Sequence, residues 1–389
     1  MAGSQLIDTD VLERTLQAAL RSGGDFAEVF AEDRATSNAR LDDGRIEELV
    51  SGRSRGAGVR VVRDETTGFA HTTDLTASGL RTAADAAAAA ARAGDGSARV
   101  VSLRSQTVTP PHDVAVLPED VPKAQKVELL RRADDAARGR GDSISQVSAS
   151  YADARRRILV ANSDGVLAED DQVRTRFFVQ CVAVADTGMQ TGMEAPGRTV
   201  GLELFDEIDP EQVATTAADR ALAMLRARPA PSGPLPVVLR KGAGGVLFHE
   251  ACGHGLEADL VGRDASVFKG RVGEQVASPL VTLVDDGRFA REWGAFAIDD
   301  EGTPAQRNVL IEDGVLTDFM WDLVRARREG RPLSGNGRRE TYQHLPMVRM
   351  TNTYLTRGTT DPDDIVADTQ HGIYCAARTG SVIAPSSMR

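Results

Sequence analysis

Cysteine, lysine and long apolar runs are all scarce in this chain, and each shortage closes off a class of function. Only Cys181, Cys252 and Cys375 occur among 389 residues. Three thiols cannot build a disulfide framework, so a reducing cytoplasmic setting is expected. No stretch approaches the ~20 apolar residues that a membrane-spanning helix needs. The N-terminus carries Asp8 and Asp10 and lacks the basic run of a secretory signal. Lysine is confined to Lys123, Lys126, Lys241 and Lys269, so the positive charge is almost all arginine, a bias of genomic base composition. Acidic residues number 57 against 46 Lys plus Arg, a net charge of −11. That sign disfavours nucleic-acid binding as a main task, because phosphate contacts need a basic surface.

The composition is otherwise that of a globular protein, with 41% hydrophobic and 26% charged residues. At ~150 residues per domain the length suggests two or three domains. The first half reads as two rounds of helix followed by strand meander, a suggestive pseudo-repeat. Leu12, Leu16, Ala19 and Leu20 recur at helical spacing before Gly23-Gly24. Short strand-like runs follow, with Val59 to Val62 the clearest, and a helix from Leu80 to Ala91 closes the round. After Pro110-Pro111 the pattern restarts. Val127, Leu130, Ala133 and Ala137 mark a helix, Val147, Ala149 and Tyr151 alternate as a strand, and a long strand follows an Asp164-Gly165 turn.

Pro229, Pro231, Pro234 and Pro236 then crowd together as a linker would. Beyond it, Asp286-Gly287, Asp313-Gly314 and Asn336-Gly337 carry the mark of antiparallel hairpins. The expected class is α+β in two domains. Residues 1–228 form helix-plus-meander units, 229–236 a proline-rich linker, and 237–389 an antiparallel-sheet domain.

The chemistry concentrates in His249-Glu250-Ala251-Cys252-Gly253-His254, which opens a helix after the Gly242 to Gly245 turn and holds two of the six histidines. A chance His-Glu-x-x-x-His match is worth roughly one in a hundred at this composition. Five residues apart, the two imidazoles would diverge by ~140° on a regular helix. A π-bulge or helix end between them, eased by Gly253, would bring both to one ion. A regular helix would instead align Glu250, His254 and Glu257 and turn His249 away. The bulged form is preferred, because Zn²⁺ favours neutral imidazole and Glu250 then stays free as a base. The ion would lower the pKa of a water towards ~7, and Glu250 would take its proton and later pass one to the leaving amine. Cys252 reads as buried filler. A solvated helix face bearing ordinary charges is the plainer reading of the same residues.

With these residues in view, the sequence resembles the TldD/PmbA family of metalloproteases, and its TldD type in particular. The likeness is densest over His249 to Asp259, Ser266 to Asp286, Ile298 to Asn308 and Gly335 to Tyr354. It implies a zinc peptidase with His249 and His254 as ligands and Glu250 as catalytic glutamate. It also implies extended or unfolded peptide substrates, including precursor peptides and small antitoxins, cut in a cavity enclosed by a homodimer or by pairing with a PmbA-type subunit. Family members continue through further strands that bring a cysteine as third zinc ligand. Here Cys375 to Arg389 lacks the glycine-rich strand expected after His371-Gly372-Ile373-Tyr374, so a truncated or frameshifted product with an incomplete C-terminal domain is expected. Glu257, or less readily Cys375, could then substitute as ligand. Arg338, Arg339 and His344 are candidates for substrate carboxylates or carbonyls. Asp299, Asp300 and Glu301 read as a strand-to-turn junction. The rival readings are an inert subunit that keeps its dimerisation and peptide-holding surfaces, and a metal-dependent hydrolase of non-peptide amides.

Overall fold

The structure, a computed structural model, describes residues 5–91 and 101–376. The helix Thr9–Leu20 buries Leu12, Leu16, Ala19 and Leu20, the positions its apolar spacing selects. It leads into strands Phe26–Asp42, Arg45–Arg63 and Thr66–Thr72 and the helix Ala77–Ala90. The same order then recurs as helix Lys123–Arg138, strands Ile144–Asn162, Val166–Ala185 and Gly188–Glu194, and helix Pro210–Leu225. The first strands of the two rounds pair antiparallel from Glu28↔Asn162 to Asp42↔Ser148, which fuses two hairpins into one sheet.

Val166–Ala185 is the long strand expected after Asp164-Gly165, and Phe26–Asp42, Arg45–Arg63 and Ile144–Asn162, at 17–19 residues, are far longer than the short runs of the sequence reading. The reason is two-sided burial. Phe26 to Asp33 is buried without interruption, so no polar alternation announces the strand. Asp43-Gly44 and Asp313-Gly314 do form tight turns, all four residues at positive φ, closing Asp42↔Arg45 and Glu312↔Val315. Asp286-Gly287 and Asn336-Gly337 do not. Asp286 ends the strand Leu283–Asp286, whose partners come from 307–312 and 353–355. Asn336 is fully buried, and its amide donates to Asp285 Oδ2 at 2.7 Å and the Arg349 carbonyl at 2.9 Å. A residue type suited to turns serves here as an interior hydrogen-bonding group.

All four long helices cover one face of the sheet, in two apolar clusters. Glycine sets their depth. A Cβ on Gly68 would stand 2.0 Å from the Ala87 carbonyl oxygen, and one on Gly192 would stand 2.2 Å from that of Ala217. Strand and helix thus touch at the same point in both rounds. The chain then passes through a mostly exposed stretch, 226–236, into a smaller antiparallel sheet ordered Val315–Leu316, Arg307–Glu312, Leu283–Asp286, Thr353–Leu355. This unit has its own core around Leu256, Phe268, Met320, Trp321 and Met350.

It docks on the sheet face opposite the helices through two apolar clusters, Ile298 and Tyr342 on Phe30, Ile158 and Val160, and Leu323 on Phe26 and Val62, and through buried charge. Arg60 Nη2 donates to Glu28 Oε2 and Glu301 Oε1, both at 2.8 Å. Arg156 donates to Glu32 Oε1 and Asp300 Oδ1, both at 2.7 Å, and Arg339 donates to Glu28. Every one of these side chains is buried. Burial disfavours the Asp300 charge, yet Arg156 and Arg338 outweigh it and hold the carboxyl below its usual range.

Removing one member leaves a partner charged, buried and unpaired. Glu28→Ala is therefore expected to cost about 3–5 kcal/mol in urea unfolding. Arg81→Ala, which breaks the exposed Arg81–Asp85 pair, is expected to cost about 0.3–0.5 kcal/mol. Equal losses in the two variants would remove the network's structural role.

Candidate metal centre

Gly242, at φ 86°, turns the chain into the short helix Ala243–Phe248. From His249 to Gly253 the helix widens into π geometry, and the His254 N–H reaches back to the His249 carbonyl. A single 3₁₀ turn, His254–Leu256, follows. Of the two arrangements that five-residue spacing allows, the backbone takes the bulged one. The imidazole rings meet edge to face with centroids 4.8 Å apart. Gly253 contributes differently from expectation. Its φ of −56° is ordinary helix, but a Cβ there would lie 2.2 Å from Met350 Sδ. Close packing, rather than backbone freedom, calls for glycine.

Phe248 and Cys252, four residues apart, face the C-terminal core. Burial pushes the Cys252 thiol up, as suits an inert packing residue. The opposite side presents His249, Glu250 and His254, whose ligand atoms all lie within 4.8 Å of one another. Among the described residues this is the sole such group. Burial and the neighbouring His254 push the His249 pKa down, against the pull of Glu250 and Asp285, which favours the neutral imidazole that ligates metal.

Glu257 stands behind this group rather than in it. Its Oε1 lies 3.2 Å from His254 Nδ1, while Glu250 Oε2 lies 3.9 Å from His254 Nε2. Arg349 Nη1 donates to the other Glu257 oxygen at 3.0 Å. Burial pushes the Glu257 carboxyl up, and Arg349 and His254 oppose it. A carboxylate on Nδ1 fixes the ring and presents Nε2, the usual arrangement behind a metal-ligating histidine. The substitute-ligand expectation for Glu257 assumed a regular helix, and the π segment removes that geometry. Cys375 lies in the strand Ile373–Cys375, paired with Val237–Leu239, and is also outside the group. The tail from 377 lies outside the described residues. Two imidazoles, one of them fixed from behind, with the Glu250 carboxylate beside them, fit the neighbourhood of a first-row divalent ion.

His249 opens onto a cleft of about 960 Å³ between the sheet and the C-terminal unit. Thr36, Ala154 and Arg174 belong to its floor, and Trp293, Met350 and Thr351 to its roof. Arg338 and Arg339 both reach this cleft. The Arg339 guanidinium is committed to Glu28 and the carbonyls of Asp300 and His344, so its work is structural. Arg338 is half-buried and stacks over Phe296 at 4.9 Å. His344 is not among the lining residues, and its ring contacts Thr341 and Glu340 instead. Asp299, Asp300 and Glu301 lie at a turn closed by the Ile298↔Pro304 bridge, as expected; within it Asp300 and Glu301 are buried charges of the docking network, while Asp299 accepts from the backbone N–H groups of Glu301, Thr303 and Gly337. Arg349 and Arg174 went unnoticed in the sequence, since no spacing links either to the histidine motif.

The PmbA/TldA metallopeptidase family matches in three segments: domain 1 over 27–91, the central domain over 117–225 and the C-terminal domain over 232–388. A metalloprotease TldD homolog of Haemophilus influenzae is 39% identical over 358 residues, covering 90% of this chain and 74% of that protein. A metalloprotease of Methanothermobacter thermautotrophicus is 32% identical, covering 97% of this chain and 82% of its own length. Among solved structures, TldE from Thermococcus kodakarensis has the same fold, with a TM-score of 0.76 at 19% identity over 95% of this chain and 83% of that one.

If Glu257 orients His254, Glu257→Ala should weaken metal affinity about 10–100-fold in calorimetric titration while keeping saturable binding. Complete loss of binding at excess metal would make it a ligand.

Proposed function

The chain belongs to the PmbA/TldA metallopeptidase family and is a peptide hydrolase, and from that premise we propose that it cuts extended or unfolded peptides with Zn²⁺ held by His249 and His254 and with Glu250 as general base. The carrying observation is the π segment, which sets two imidazoles five residues apart against each other at 4.8 Å. When bound there, Zn²⁺ supplies a Lewis acid that polarises a carbonyl and makes water acidic enough to deprotonate near neutral pH. Glu250, half-buried beside His254, accepts the proton of the attacking water and returns it to the departing amine. His249 and His254 contribute neutral nitrogen donors, and Glu257 holds the second ring in place.

The cleft receives the peptide in extended form, where main-chain hydrogen bonds give broad selectivity, and Arg338 is placed to contact it. Enclosure of that cleft comes from a second subunit, either another copy or a PmbA-type chain. The reading takes 1–228 as the N-terminal domain, 229–236 as the linker and 237–389 as the metallopeptidase domain. Among the described residues no helix is long and apolar enough to cross a membrane, and the scarcity of cysteine supports a cytoplasmic setting.

Purified protein should hold close to one zinc per chain by elemental analysis, and His249→Ala should lose it. Absence of zinc after gentle purification would favour an inert subunit. Glu250→Gln should cut peptide turnover at least about a hundredfold while zinc stays bound, and retained turnover would remove the base role.

A further inference from the structure

We infer that the cleft beside His249 holds a carboxylate-binding subsite built from Arg156, Arg174 and Arg338, which selects peptides carrying an acidic side chain or a free C-terminal carboxylate. The inference rests on the peptide-cleft reading above and names a substrate class for it.

The protein as a whole carries a net charge of −11, yet seven arginines and only two carboxylates line this cleft. Neither carboxylate offsets the arginines. Asp153 is paired with Lys126 at 2.7 Å, and the Glu340 side chain is 80% exposed. Two of the arginines are already spent, Arg339 on Glu28 and Arg349 on Glu257. Of the others, Arg156 pairs with Glu32 and Asp300, while Arg174 and Arg338 are under-neutralised.

Arg156 and Arg338 share one carboxylate, Asp300, at 2.7 and 3.9 Å. Arg174 has two neutral acceptors, the Trp293 carbonyl at 3.0 Å and Gln172 Oε1 at 3.4 Å. Strand pairing places them together. Arg156 sits opposite Gln172, and Arg174 opposite Ala154, so the two arginines occupy neighbouring rows on one face. Arg156 also lines the cleft and keeps one guanidinium nitrogen without an acceptor, as Arg60 does in the same network. Its Nε and Nη1 are taken by Glu32 and Asp300, but Nη2 is buried with no hydrogen-bond partner on a side chain only 9% exposed. A buried donor of that kind is rare in a finished interior and calls for an acceptor. Burial and the like charges of Arg338 and Arg156 also push Arg174 down, a tension that an anion would relieve.

Guanidinium groups are suited to this task, because their planar donor fork matches a carboxylate in two-point contact. His249 lines the same cleft, so a carboxylate held here would set the peptide's register at the metal centre.

The test uses the full chain as Glu250→Gln, supplied with Zn²⁺, so that peptides bind uncut. Three dye-labelled hexapeptides are titrated by fluorescence anisotropy: a neutral amide-capped peptide, the same peptide with one central Glu, and the neutral peptide with a free C-terminus. The Glu peptide or the free-acid peptide is expected to bind at least about tenfold tighter than the neutral one, and whichever gains identifies the source of the carboxylate. That ratio should fall to within about twofold on adding Arg174→Gln or Arg338→Gln, and should shrink between about 50 and 500 mM salt. The salt series needs neither arginine substitution and stands if either of those variants fails to fold. Equal affinities for all three peptides would overturn the subsite and leave the peptide reading intact. An acidic preference that survives both substitutions, or that ignores salt, would likewise overturn it. Failure of every peptide to bind would remove both.

Discussion

A buried set of arginines and carboxylates holds the two parts of this protein in register. Glu28 and Glu32 project from the central strand of the large sheet, and Arg60 and Arg156 from the strands beside it. Asp300, Glu301 and Arg339 close on them from the C-terminal unit. Charges removed from water cost least when each finds its partner, and here they are paired beside the apolar contacts of Ile298, Tyr342 and Leu323. The consequence reaches the site. Arg156 belongs both to this network and to the cleft wall, so the contacts that dock the two units also set the distance between the sheet and His249.

The large sheet divides its labour by face. Helices from both rounds cover one side, and glycine contacts at Gly68 and Gly192 bring strand and helix together in equivalent places. The other side combines an apolar cluster around Phe30 and Val160 with paired charges under the C-terminal unit, and is open where the cleft begins. The metal segment lies across this opening because Phe248 and Cys252 anchor it in the smaller core while Glu257 and Arg349 brace it from behind. Two short-range features, a widened turn and a buried carboxylate, aim the imidazoles. A long-range feature, the ionic interface, aims the whole segment at the cleft.

Much of this was legible in residue order. Helical spacing marked Thr9–Leu20 and Lys123–Arg138, and Asp-Gly marked the two turns that need two consecutive positive φ angles. The five-residue gap between His249 and His254 required a distortion, and a π turn is where the distortion lies. Strand length was hidden, because two-sided burial erases the alternation that identifies a strand. Asn336-Gly337 misled for a related reason. Its residue types favour turns, but a fully buried Asn336 with three polar neighbours is worth more as an internal hydrogen-bonding group.

What the sequence alone determined are properties carried by near neighbours in the chain: the helices, the tight turns, the repeat of one unit, and the need for a local bulge if two imidazoles were to share an ion. The tertiary structure decided what depends on residues hundreds of positions apart. It made Asp300 and Glu301, within their turn, buried docking charges, withdrew Arg339 from solvent, set Glu257 behind His254, and gathered Arg156, Arg174 and Arg338 around one cleft. Local geometry is fixed by dihedral preferences and hydrogen bonds that span a few residues. Charge pairing is fixed by distance in space, which only the folded chain defines.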